Sequence, residues 1–202
     1  MKKLLLILFS AILLLSACSA DKSSNETAHT ISPYEHTEDN KEVIHAFGLD
    51  GNSQLLTFEA PPKTSSATVT LYTLTDGAWV SDEKGGMKIT LDPESESTFS
   101  GTFSMILRDD YSIDFRICEN AGASYSSTFK APQIDFTQTA SLTGFLLESE
   151  NIELDREIPV ALMVYDEGYS LKSFALQDYF SPEKFEGMDL VRVVTLTFSS
   201  QK

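Results

Sequence analysis

The sequence predicts an all-β fold, an antiparallel β-sandwich of immunoglobulin-like or jelly-roll-like type. Three observations carry that expectation. From Val43 onward the apolar residues recur with a period of two rather than 3.6. Turn signals built on Gly, Asp, Asn and Pro divide the chain into about ten or eleven short runs, the spacing of a sandwich. No helical pattern is long enough to serve as a crossover, which excludes a parallel doubly wound sheet.

The elements follow in order. Val43 to Phe47 and Leu55 to Glu59 read as short strands separated by the turn Gly48-Leu49-Asp50-Gly51-Asn52. Ala67 to Thr75 carries the Thr, Val, Leu and Tyr mixture of a strand, and Asp76-Gly77 turns it back into Trp79-Val80. Gly85-Gly86 leads into Met87 to Leu91. The clearest alternation comes next: Phe99, Gly101, Phe103, Met105 and Leu107 share one face, and after Asp109-Asp110 so do Tyr111, Ile113, Phe115 and Ile117. Polar residues occupy the opposite face, so this is a hairpin buried on one side. Ala123 to Phe129, Ile134 to Phe136 and Leu142 to Leu147 are further strands, and the acidic run Glu148 to Glu157 reads as a solvated loop. Val160 to Tyr165 and Tyr169 to Leu176 read as a second hairpin around Asp166-Glu167-Gly168, echoing the Met105 to Ile113 segment. Residues 181–187 read as one short helix, with Ser181 as cap, Pro182 at the first helical position and Gly187 as stop. The last strand, Leu190 to Phe198, is apolar on both faces and is expected to lie inside its sheet.

Ahead of these strands the chain has a different character. Lys2 and Lys3 precede an apolar run from Leu4 to Leu15, broken only by Ser10. That is the pattern of a secretory signal and is shorter than the roughly 20 residues of a membrane span. It ends in Leu15-Ser16-Ala17-Cys18. These four residues resemble the lipobox of bacterial lipoproteins, a resemblance confined to residues 1–18. It implies a signal peptide over 1–17 and a thioether-linked diacylglycerol on Cys18, the first residue of the mature chain. More than one acyl chain, at about 0.8 kcal/mol per buried CH₂, gives stable anchoring. The implied place is the cell membrane, lipid-anchored and facing outside the cytoplasm. Residues 18–41 are rich in Ser, Thr, Asn, Asp and Glu without hydrophobic periodicity, and read as a flexible polar tether. The β-sandwich domain is expected over 42–202.

The chain carries a net charge of −15, and removal of residues 1–17 takes away two lysines and no acidic residue. Such a field repels nucleic acid and anionic polymers and suits cationic partners or calcium. With Cys18 spent on lipid, Cys118 has no partner cysteine, so neither a disulfide framework nor a thiolate metal cluster is available. Beyond the covalent lipid no cofactor is indicated.

Catalytic chemistry is poorly provided for. No histidine follows His45, which removes Ser-His and Cys-His pairs from the β body unless His45 serves. No motif of a nucleophile elbow, phosphate loop or zinc protease is present. Asp109, Asp110, Asp166 and Glu167 place hard oxygen ligands on turns, though none at the spacing of a known calcium loop. Trp79 and Tyr72, with Tyr125 on another strand, could form a stacking platform for a sugar or peptide, a role weighed against edge packing, which these residues also serve. The expectation is a non-enzymatic binding module for an envelope protein or glycan. A carboxylate-based envelope hydrolase and an accessory subunit of an envelope complex are the alternatives.

Overall fold

The computed structural model describes residues 29–82, 86–91, 98–132, 139–167 and 171–200. The lipobox, Cys18 and the strand expected at Ile134 to Phe136 lie outside them. Strands β1 (Thr30–Pro33), β2 (Ser53–Glu59), β6 (Ser100–Leu107), β7 (Ile113–Glu119), β8 (Ser124–Phe129) and β10 (Glu150–Asn151) form one antiparallel sheet in the order β10-β1-β2-β6-β7-β8. Strands β3 (Thr64–Thr75), β4 (Ala78–Ser81), β9 (Thr139–Phe145), β11 (Glu157–Glu167) and β12 (Leu190–Ser200) form the second, in the order β4-β3-β12-β11-β9. Strand β5 (Met87–Thr90) also pairs with β3, on the half that β4 leaves open. The fold is the expected all-β sandwich.

The hairpin with the cleanest alternation forms as its period requires. Phe103 lies opposite Ile117, Met105 opposite Phe115 and Leu107 opposite Ile113. These residues face the second sheet, where Val69, Leu71, Leu196 and Phe198 are buried. Phe58 of one sheet meets Phe198 of the other with ring centroids 5.3 Å apart. Asp76 and Gly77 both take positive φ, 51° and 77°, the geometry that a two-residue hairpin turn between β3 and β4 needs. Strand β12 lies between β3 and β11, as its two apolar faces demand.

Among the described residues one charged side chain is sealed in the sandwich interior. Arg192 shares its face with Val194 and Leu196 and is 3% exposed. Its guanidinium donates to the carbonyl oxygens of Tyr111 at 2.8 Å and Lys130 at 3.2 Å. It thereby ties β12 to the β6–β7 turn and to the end of β8. Burial pulls this guanidinium below its ordinary pKa.

The structure corrects several expectations. Residues 18–41 are not wholly tether: β1 pairs with β2 and β10, and Ile31 is fully buried. One apolar residue in a short strand leaves no periodicity to read, yet it suffices where two neighbours supply the hydrogen bonds. Val43 to Phe47 is not a strand but the end of helix α1 (Glu38–Ala46) and its cap. Thr37 caps that helix, its hydroxyl accepting from the Asn40 N–H, with Glu38 and Asp39 in the first turn. The acidic run is not all loop, since β10 lies within it and Ile152, also within it, is buried.

Gly168 and Tyr169 of the second expected hairpin lie outside the described residues, and among the described ones its return strand is absent. Strand β11 continues through Asp166 and Glu167 and pairs with β9 and β12, while residues 171–175 form no strand. The echo of Met105 to Ile113 therefore has no structural counterpart among the described residues. The one short helix expected over 181–187 is the 3-10 helix η2 (Pro182–Phe185), and a second 3-10 helix, η1 (Leu176–Phe180), precedes it. Pro182 does stand at the start of η2, but the Ser181 side chain makes no cap.

Two substitutions test this packing. A Cβ at Gly101 would stand 2.0 Å from the Cys118 carbonyl oxygen on the adjacent strand. Gly101→Ala is expected to destabilise the protein by about 1–3 kcal/mol, read by chemical denaturation. Arg192→Leu leaves two interior carbonyls without their donor and is expected to cost about 2–4 kcal/mol in the same measurement.

Candidate functional site

The three aromatic residues singled out in the sequence do not form one platform. Tyr72 and Trp79 stand together on the outer face of the second sheet, whereas Tyr125 belongs to β8 in the first. Trp79 lies opposite Leu74 and is covered by the segment carrying η1 and η2. Its indole N–H donates to the Tyr179 carbonyl at 2.9 Å. Its ring packs on Tyr179 at 5.2 Å and edge-on against Phe185 at 5.9 Å. The Tyr72 hydroxyl donates to Glu157 Oε1, and the Tyr179 hydroxyl donates to Glu157 Oε2 at 2.6 Å. Burial, then the Glu157 carboxylate, pushes the Tyr72 phenol up to about 12 and raises that of Tyr179 as well. Both phenols therefore stay protonated donors at neutral pH. Tyr72 and Trp79 are spent on holding the 3-10 segment to the sheet.

Tyr125 is differently placed. It lies opposite Ile117, so its ring points to the side of the first sheet that faces the second. Being on the outermost strand it remains 38% exposed. Beside it a cleft of about 480 Å³ opens between the ends of β3 and β5 and the ends of β6, β7 and β8. That volume lies within the range of roughly 300–1,000 Å³ of small-molecule sites. Phe99, 6% exposed, and half-buried Leu91 supply its apolar surface. Thr64, Thr90, Thr98 and Ser100 add hydroxyls, and the turn after β7 adds Glu119 and Asn120. The Glu119 carboxylate holds the Tyr125 phenol above its usual range. Asn120 is oriented by donating its side-chain N–H to Ser100 Oγ at 3.0 Å. A Tyr ring, an apolar floor and fixed planar polar groups are the chemistry that takes a sugar ring, whose faces are apolar and whose edges carry hydroxyls.

The calcium candidates are scattered. Asp110 Oδ1 accepts from the Ser112 N–H at 3.0 Å and from its hydroxyl at 2.6 Å, fixing the β6–β7 turn. Asp109 is exposed in that turn. Asp166 and Glu167 are strand residues of β11, opposite Ala140 and Thr139. Among the described residues no group of three or more His, Cys, Asp or Glu is placed to hold a metal. Cys118 is half-buried, its Sγ 3.4 Å from the Ser124 hydroxyl.

Sequence reasoning missed the companions of Tyr125. Glu119-Asn120-Ala121-Gly122 carried a turn signal immediately before it, yet nothing in that signal says which strand ends converge on the turn. Glu157 was missed because one Glu in an acidic run looks like the next.

No protein-family model matches the chain, and no curated protein and no solved structure matches it at a significant level.

Proposed function

We propose that this chain is a lipid-anchored extracytoplasmic lipoprotein whose β-sandwich binds a neutral glycan of the cell envelope, without catalysis, in the cleft beside Tyr125. The observation that carries the reading is that half-exposed Tyr125 shares one cleft with Phe99, Leu91, Glu119, Asn120 and three threonines. The lipobox residues Leu15 to Cys18 support the location. The net charge of −15 favours neutral over anionic polymers, which it would repel. Glycoside cleavage by carboxylates calls for a pair of them, and among the described lining residues Glu119 is the one present.

Thermal unfolding of the full-length protein in mild detergent, with and without soluble neutral cell-wall oligosaccharides, tests the reading. Ligand at a hundred times its Kd stabilises by about 2.7 kcal/mol, which for a domain of this size is a rise of roughly 5–11 °C. Tyr125→Ala removes a half-exposed ring on an outer strand, so it is expected to unfold within about 2 °C of the parent while losing the ligand-induced rise. A flat response of the parent protein, or an undiminished rise in the variant, would overturn the proposal.

A further inference from the structure

A second cavity lies on the far side of β11, where the chain crosses from β9 to β10 and back. It measures about 240 Å³ and sits between the end of β9, the start of β11 and η1. Its floor is apolar: Leu146, Ile158 and Leu176 are 3%, 5% and 5% exposed. Phe180, 59% exposed, also lines it. Glu157 lines it and is held still by the Tyr72 and Tyr179 hydroxyls, one on each carboxylate oxygen. A carboxylate offers about four acceptor positions, so about two remain open. Arg156 lines the same cavity but is paired with Glu153 at 2.8 Å, while Glu150 adds a second negative charge.

From this arrangement we infer that the cavity binds a primary ammonium group carried on an aliphatic stem. The stem lies on Leu146, Ile158, Leu176 and the Phe180 ring, and the ammonium donates to Glu157. Four features support the assignment independently of the Tyr125 cleft. The cavity is smaller than the roughly 300–1,000 Å³ of drug-sized sites, so it takes a group the size of one side chain. Its carboxylate is oriented by two donors that cannot themselves neutralise it. The net charge of −15 draws cations to the surface. The exposed aromatic ring adds a further attraction for an ammonium group. Two sources present this chemistry, a lysine side chain of a partner protein and a free alkyl diamine.

Saturation-transfer NMR on the full-length protein in mild detergent tests the inference. The probes are N-acetyl-lysine methylamide and cadaverine, with N-acetyl-norleucine methylamide as the uncharged control. Saturable binding of at least one amine is expected, with none for the control. Binding of the lysine derivative alone assigns the site to a protein partner. Binding of cadaverine alone assigns it to free diamines, and binding of both supports the shared chemistry. Glu157→Gln keeps the shape and an acceptor for one phenol, and is expected to weaken binding at least about tenfold. Phe180→Ser, at an exposed ring, is a second variant that leaves the buried hydrogen bonds intact and also weakens binding. No saturable signal from either amine, equal binding of the norleucine derivative, or parental affinity in both variants would overturn the inference.

Discussion

Burial of both faces of β12 is the constraint on which the rest of the molecule depends. Leu190, Val194, Leu196 and Phe198 face the first sheet and build the sandwich interior. Val191, Val193 and Thr195 face the other way, on the side where Tyr72 meets Tyr179. At about 1.5–3 kcal/mol for each fully buried Val or Leu, neither face could be left in water. The first sheet covers one of them. The other is covered by a segment with no regular long helix of its own, the two 3-10 turns, which Trp79, Tyr72 and Glu157 hold down. Arg192 is the polar counterpart, since its two carbonyl partners fix how β12 sits against the turn and strand end of the opposite sheet.

That arrangement decides where the proposed ligand sites lie. Tyr72 and Trp79 stand beside β12 and are drawn into its covering layer. Tyr125 stands five strands along the other sheet from β10, at the edge, where strand ends of the two sheets line a common cleft. The Glu157 cavity has the same origin. The covering layer ends at η1, and the carboxylate that anchors the layer lies at the rim of what it covers. Both sites are thus by-products of how the sandwich closes, formed from strand ends and turns rather than from a dedicated motif.

The fold was legible where one residue type decided one position. The β6–β7 hairpin follows from strict alternation, and the interior place of β12 from its two apolar faces. Legibility failed where the deciding partner lay far along the chain. Strand β11 ends in Asp166-Glu167, which reads locally as a turn, yet these residues pair with Ala140 and Thr139 on one side, and on the other the Glu167 N–H donates to the Asp189 carboxylate. Strand β1 has Ile31 and little else, and its order comes from Phe58 and Glu150 opposite it. Helix α1 did carry a local signal, Thr37 followed by two acidic residues, which the apolar residues Val43, Ile44 and Phe47 obscured. Of the candidate site, Tyr125 could be named from its residue type. Its separation from Tyr72 and Trp79, and its meeting with Phe99 and Asn120, depend on sheet order, which a period of two does not encode.

The most direct measurement is amide hydrogen exchange on the full-length protein, with and without a soluble neutral cell-wall oligosaccharide. Strands β11 and β12 should exchange slowest, and added ligand should slow exchange in residues 119–125 and at the end of β5 while leaving η1 unchanged. Exchange in β12 as fast as in β8, or ligand-induced protection at η1 in place of the β7–β8 turn, would contradict a β12-centred sandwich that binds through the Tyr125 cleft.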